Sequence, residues 1–353
     1  MFLNLFKKKT AAQTHEYAET SSFIDTIDIK IDAETNQKPS LEYIRTIFLN
    51  LFTKRPHKED DSFPGYFQYE FEIIHLPTFF REVVADDLLM PAPSELKLSM
   101  LKVSELKQIL AENGLKKTGN KLDLIQRILE NVNISKISLT QEPYYSLSPK
   151  GELYIEAHKD YIWLRQHSEW GISFWEYQNV KDSSGNLLAF NDIILCILNK
   201  KVKLIAKSRY SMSPYEYSRL CELYFSIYLL FNANKNQKSA LHSLLSAILL
   251  SVSGCENFWL IDYKHNLKLK NTQLLPYYKP IHIDAHIGSC LRNLQEYYNM
   301  DIAQNVYSSF IGPYNLCTFK MFCSIINEIF SVSMLDLTNY DTIIKQLFFQ
   351  KLK

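Results

Sequence analysis

The chain has 353 residues, 46% hydrophobic and 22% charged, with 39 Lys and Arg against 38 Asp and Glu. This mix excludes wholesale disorder, collagen-like sequence and low-complexity fibres, allows two or three domains, and leaves net charge silent about any partner. Only 9 Gly and 12 Pro are present, which argues against a Gly-rich nucleotide loop and a turn-dense all-β architecture.

The six cysteines (196, 221, 255, 290, 317 and 323) show no Cys-x-x-Cys spacing. They read as reduced, mostly buried thiols of a cytoplasmic protein, not as a disulfide framework.

Residues 1–9 are apolar and then basic, the reverse of a secretory signal. They read as a frayed terminus or as a short amphipathic patch. Residues 7–40 are polar, with a β-leaning patch at Phe23, Ile24, Ile27, Ile29 and Ile31. A helical face follows through Leu41, Ile44, Phe48, Leu51 and Phe52, and the charged stretch 54–61 reads as a linker. Next come an aromatic segment (Tyr66, Phe67, Tyr69, Phe71) and a helix expected at 77–89, ended by the Met-Pro-Ala-Pro-Ser tract at 90–94.

After 131, a short extended piece leads to a helix capped by Ser148 with Pro149 at its first position, running toward Leu164. From 166 onward the pattern is mainly helical. A turn is expected at 182–185, and an apolar helix at 191–204 has a basic end. Ser213-Pro214 is a second strong helix start. Further helices are expected at 237–252, 284–299, 301–310, 317–332 and 340–352. The most apolar run, 240–252, is too short to span a bilayer, so no transmembrane segment is expected.

The segment 101–131 carries the most information. Ser104 can cap a first helix whose apolar face is Val103, Leu106, Ile109 and Leu110. Asn113-Gly114 ends it and Leu115 anchors the loop. Thr118 or Gly119 is expected to start a second helix, 120–131, with Leu122, Leu124, Ile125, Ile128 and Leu129 on its apolar side. Helices this short must pack to be stable.

Between 97 and 130 there are seven cations (Lys97, Lys102, Lys107, Lys116, Lys117, Lys121, Arg127) and four anions (Glu105, Glu112, Asp123, Glu130), a balance of 7 − 4 = +3. Lys116, Lys117, Thr118, Gly119, Asn120 and Lys121 crowd the loop and the start of the second helix. The free amides and positive dipole end there suit a phosphate, and Gly119 would let the backbone approach.

This segment, 97–132, resembles the SAP domain. The match rests on Val103, Leu106, Leu110, Gly114-Leu115, Thr118-Gly119, Lys121, Leu124-Ile125 and Arg127-Ile128. The resemblance implies a DNA-binding helix–loop–helix, with Lys116, Lys117, Thr118, Gly119, Asn120 and Lys121 as contact residues and Lys107 in support. Two departures stand out: Asn120 where many members carry Lys, and Leu122 where a small residue is common. The flanks, a preceding helix and the Leu147-Ser-Pro-Lys-Gly151 entry, resemble the edges of a winged-helix fold. The whole layout is similar to bacterial proteins of unassigned role with an internal SAP segment.

Other constellations carry less. His282, Asp284 and His286 alternate as metal ligands on a strand would, or else cap and pack a helix start. Cys255 or Cys290 with His286 would be a nucleophile pair, but no elbow motif accompanies them. Tyr144, Tyr145, Trp163, Trp170 and Trp175 are stacking candidates or core. Lys200, Lys201, Lys203, Lys207 and Arg209 either extend a basic surface or form a solvated helix end.

The resulting expectation is a mainly α protein: residues 1–61 a tail and linker with one helix, 62–165 a SAP-containing, winged-helix-like module, and 166–353 an α-helical domain. It needs no cofactor or metal and is not an enzyme. Its SAP module binds the DNA backbone, and its C-terminal domain recruits or assembles a protein partner. The alternatives are an interaction scaffold in which the SAP pair is only structural, and an enzyme with an unrecognised C-terminal site.

Overall fold

The computed structural model describes residues 39–185, 187–207, 213–312, 314–332 and 334–353. The amphipathic start, the β-leaning patch at 23–31 and Arg209 lie outside the described residues. The chain is mainly α, and its described residues hold a single sheet of two short strands. Two compact units emerge, one of residues 39–168 and 173–175, the other of 169–172 and 176–353.

The first unit opens with α1 (Leu41–Phe52), which starts because Ser40 accepts the Tyr43 amide at 3.2 Å. It continues with α2 (Tyr66–Tyr69), α3 (Leu76–Ala85) and strand β1 (Leu89–Pro91). Then come α4 (Ser94–Ser99), α5 (Val103–Glu112), α6 (Lys121–Asn131), α7 (Ser138–Gln141), strand β2 (Tyr145–Leu147), α8 (Pro149–Ala157) and α9 (Lys159–Gln166). The strands pair antiparallel, Leu89 opposite Leu147 and Pro91 opposite Tyr145. Helices therefore flank a small antiparallel ribbon, and the connection between its strands is the segment 92–144 that carries the helix–loop–helix.

Several sequence expectations change here. Helix α1 and the charged stretch 54–61 are not a separate tail and linker. Phe48 packs edge-on to Phe67, Phe79 and Phe80. His57 exchanges backbone hydrogen bonds with Tyr145 of β2 (3.0 and 2.8 Å), and Lys58 forms an ion pair with Glu142. The charges at 54–61 sit on a segment anchored by a buried imidazole, which hydropathy alone does not reveal. Ser148 caps α8 as expected, accepting the Gly151 amide at 2.9 Å. Gly151 packs against the Leu88 carbonyl where no Cβ would fit. The helix breaks at His158, so α8 and α9 are separate.

The second unit holds α10, which begins at Phe174 in the first unit and ends at Ser183, then α11 (Phe190–Lys207), α12 (Pro214–Ala233) and α13 (Gln237–Val252). It continues with α14 (Trp259–Leu267), α15 (Ala285–Arg292), α16 (Met300–Ser308), α17 (Phe319–Ser331) and α18 (Thr338–Lys351). Ser213 and Glu216 form a reciprocal cap at the start of α12: Ser213 Oγ accepts the Glu216 amide at 3.2 Å, and Glu216 Oε2 accepts the Ser213 amide at 2.7 Å. Helix α13 is buried nearly all round, through Leu241, Leu244, Leu245, Ile248 and Leu249. Around it lie Leu291, Val306, Phe322, Ile325, Ile326 and Phe348. The helix expected at 284–299 is shorter: α15 stops at Arg292 and a 3-10 turn covers Gln295–Tyr297. No single described helix is long and apolar enough to cross a membrane.

Candidate nucleic-acid interface

The helix–loop–helix is built on six buried side chains: Leu98 from α4, Leu106 and Leu110 from α5, and Leu124, Ile125 and Ile128 from α6. Leu101, Ile109, Leu115, Leu129 and Val132 close its rim. Helix α4 thus belongs to the module, a contribution the sequence pattern did not reveal. Two expected core positions are instead in solvent: Val103 is 40% exposed and Leu122 71%. Ser104 is not the cap. The first helix starts at Val103, and Glu105 Oε2 takes the Lys102 amide at 2.5 Å.

The loop owes its shape to glycines and to two long cations. Gly114 (φ 69°) ends α5. The Leu115 amide returns to the Leu110 carbonyl (2.8 Å) and the Gly114 amide to Ala111 (3.0 Å), so the last carbonyls are satisfied and Leu115 is turned inward. Gly119 has φ 130°, and a Cβ there would lie 2.8 Å from Asp123 Oδ2. Its glycine is therefore required by the turn itself, whatever the loop binds.

Asn120, not Thr118 or Gly119, caps the second helix. Its Oδ1 accepts the Asp123 amide at 3.0 Å, while Asp123 Oδ2 accepts the Asn120 amide at 2.9 Å. Arg127 clips the loop from within the module, donating to the carbonyls of Lys116 (2.6 Å) and Thr118 (3.0 Å). Lys121 Nζ donates to the Ser99 carbonyl at 2.6 Å.

The sequence-predicted contact residues thus divide. Lys107, Lys116, Lys117, Thr118, Gly119 and Asn120 are all exposed, and Lys121 is half-buried. Asn120 and Gly119 build the cap, and Lys121 ties the loop to α4. The side chains of Lys107, Lys116 and Lys117 have no ion pair or hydrogen bond among the described residues and point their charge into solvent. The amides of Lys121 and Leu122 likewise have no backbone partner there. Free amides at a helix start favour an anion, but the Asp123 carboxylate already sits at this one, and Glu95 and Glu130 line the adjoining depression. Arg127 is the functional residue that spacing alone undervalued, because its role is set by where the loop carbonyls fall.

The other constellations resolve into structure. Asp284 Oδ1 accepts the His286 amide at 2.7 Å and caps α15, and no group of three metal-ligating side chains occurs among the described residues. The structure brings His286 Nε2 to 3.8 Å from Cys290 Sγ, whereas Cys255 sits against Ser253. Burial pushes the Cys255 thiol up, and those of Cys221 and Cys317 up to about 12, so these stay protonated. Trp163 and Trp170 are buried, and Tyr145 meets Phe80 edge-on at 5.2 Å. Lys201 pairs with Glu176 at 2.7 Å.

The segment is a capped, glycine-bent helix–loop–helix that leaves Lys107, Lys116 and Lys117 exposed while Arg127 and Lys121 are tied to carbonyls. Residues 97–133 match the family model of the SAP domain, and this segment is a SAP domain. A SAP domain points to nucleic-acid binding in general. No curated protein and no solved structure matches the chain.

Proposed function

We propose that the chain binds duplex DNA without catalysis, through the phosphate backbone, and that its helical unit recruits or assembles a protein partner. The observation that carries the DNA reading is the outward, unpaired placement of Lys116 and Lys117 on a loop whose carbonyls Arg127 clips. Phosphate contacts of this kind position a protein without reading bases. Leu187, Tyr215 and Met334 are exposed apolar side chains of the helical unit, and they are the positions at which the recruitment reading is tested.

Fluorescence anisotropy of the full chain with a short duplex tests the DNA reading. Binding should weaken steeply with salt. Lys116→Glu with Lys117→Glu should abolish it while the fold stays intact, because neither side chain holds the loop. Each lysine that meets a phosphate adds about −0.9 to the salt slope, so alanine at both should lower the slope by about 2. Salt-independent binding, or binding indifferent to these substitutions, would place the interface elsewhere. For recruitment, a cross-linking pull-down with Met334→Asp and Tyr215→Asp variants should lose a partner that the parent chain captures.

A further inference from the structure

Two acceptors meet at His158, the residue at which α8 ends and α9 begins. Its Nδ1 lies 2.8 Å from the Tyr154 carbonyl oxygen, and its Nε2 lies 2.8 Å from Glu42 Oε1 on α1. The other Glu42 oxygen accepts the Tyr161 hydroxyl at 3.1 Å. The imidazole rests against the rings of Tyr154 and Tyr161, with centroids 4.4 and 5.6 Å away. A carbonyl and a carboxylate can only accept, so both ring nitrogens are called on to donate. A neutral imidazole has one N–H and one lone pair, whereas the imidazolium has two N–H groups. Only the charged ring satisfies both partners.

We propose that His158 is a pH-sensitive clasp that ties α1 to the junction of α8 and α9. Charged, the ring bonds both acceptors. Neutral, it turns a lone pair on one of them and must release it. Protonation therefore favours the closed junction. The clasp is fully held at the acid end of the range in which imidazoles titrate, about pH 5 to 8, and is lost as pH rises through it. The groups that face the ring are Glu42 of α1, Tyr154 of α8 and Tyr161 of α9. Other charges on these elements are matched among themselves, Arg45 to Asp86 at 2.6 Å and Lys159 to Glu156. The clasp bears on more than its own helices: α1 also carries Phe48, which packs on Phe80, and Phe80 meets Tyr145 of the ribbon that holds the SAP domain.

Hydrogen exchange of the full chain, corrected for intrinsic rates, reads the clasp at about pH 5.5 and about pH 8. Glu42 is 50% exposed, so the effect is that of a partly solvated ion pair. Protection of α1 and α9 should fall about two- to fivefold at the higher pH. His158→Phe keeps a ring beside both tyrosines but cannot titrate, and should show the weaker protection at both pH values. Glu42→Gln should keep the stronger protection at both, because its amide nitrogen can donate to a neutral Nε2 while its oxygen still accepts from Tyr161. Should His158→Phe fail to fold by circular dichroism, Glu42→Gln decides alone. Ring-nitrogen NMR of the parent at the lower pH should show His158 with both nitrogens protonated. A single N–H there, protection that does not change with pH, or a pH dependence that survives in Glu42→Gln or in folded His158→Phe overturns the clasp. The last outcome would hand the effect to another histidine, such as His57 beside Asp61.

Discussion

Leu124, Ile125 and Ile128 of α6 and Leu244, Leu245 and Ile248 of α13 follow similar helical spacing, yet the two helices are held by different means. In the SAP domain six side chains make the whole core, so local devices carry much of the order: the Gly114 turn, the Asn120–Asp123 cap, the Arg127 clip and the Lys121 tie. In the helical unit α13 is packed by α12, α15 and α16, and burial dominates. A module with little apolar area leaves its polar groups free to face a ligand. A large core spends its polar groups on itself, as Tyr217 does in donating to the Leu250 carbonyl.

That contrast breaks first at the core. Leu244→Ala should cost the helical unit about 2–5 kcal/mol, read as a lower urea midpoint. The same truncation at Leu124 should unfold the SAP domain locally, with hydrogen exchange rising in 98–132 alone.

Alkaline pH should separate the two regions next. Burial raises the thiols of Cys221 and Cys317 to about 12, and raises Cys255 as well. A folded value above the unfolded one means the protonated thiol favours the fold. That stability is complete below about pH 9 and is lost as pH rises toward 12. The SAP segment has no Cys or Tyr, so circular dichroism should show the helical unit melting earlier as pH climbs. The same thiols should resist alkylation in the folded chain at pH 8.

Smaller effects sharpen the local side. Gly119→Ala should cost about 1–3 kcal/mol, from its positive φ and the contact with Asp123. Asp123→Ala should cost about 0.5–2 kcal/mol through the lost cap. Both would appear as faster exchange of the amides at 119–124. Smallest of all, Lys116→Ala and Lys117→Ala should move stability by less than about 0.5 kcal/mol while weakening DNA binding.

Much of this was legible in the chain. Ser148-Pro149 and Ser213-Pro214 start helices where expected, because a cap needs only its own four residues. The SAP domain was legible for the same reason: its glycines, its apolar spacing and its loop lie within 37 contiguous residues, 97–133. What misled was periodicity near helix ends. Val103 and Leu122 fit an apolar face by spacing, but the first turn of each helix projects past the core into solvent.

The amino-acid order alone determined the helical class, the principal caps and the cationic bend, since propensity, capping and turn geometry act over a few residues. Only the tertiary structure decided that 54–61 anchors to β2, that Leu98 completes the SAP core, and that Arg127 and Lys121 are committed to carbonyls while Lys116 and Lys117 stay unpaired. Each of those depends on which distant backbone group comes within hydrogen-bond or packing reach, and chain closure sets that, not local preference.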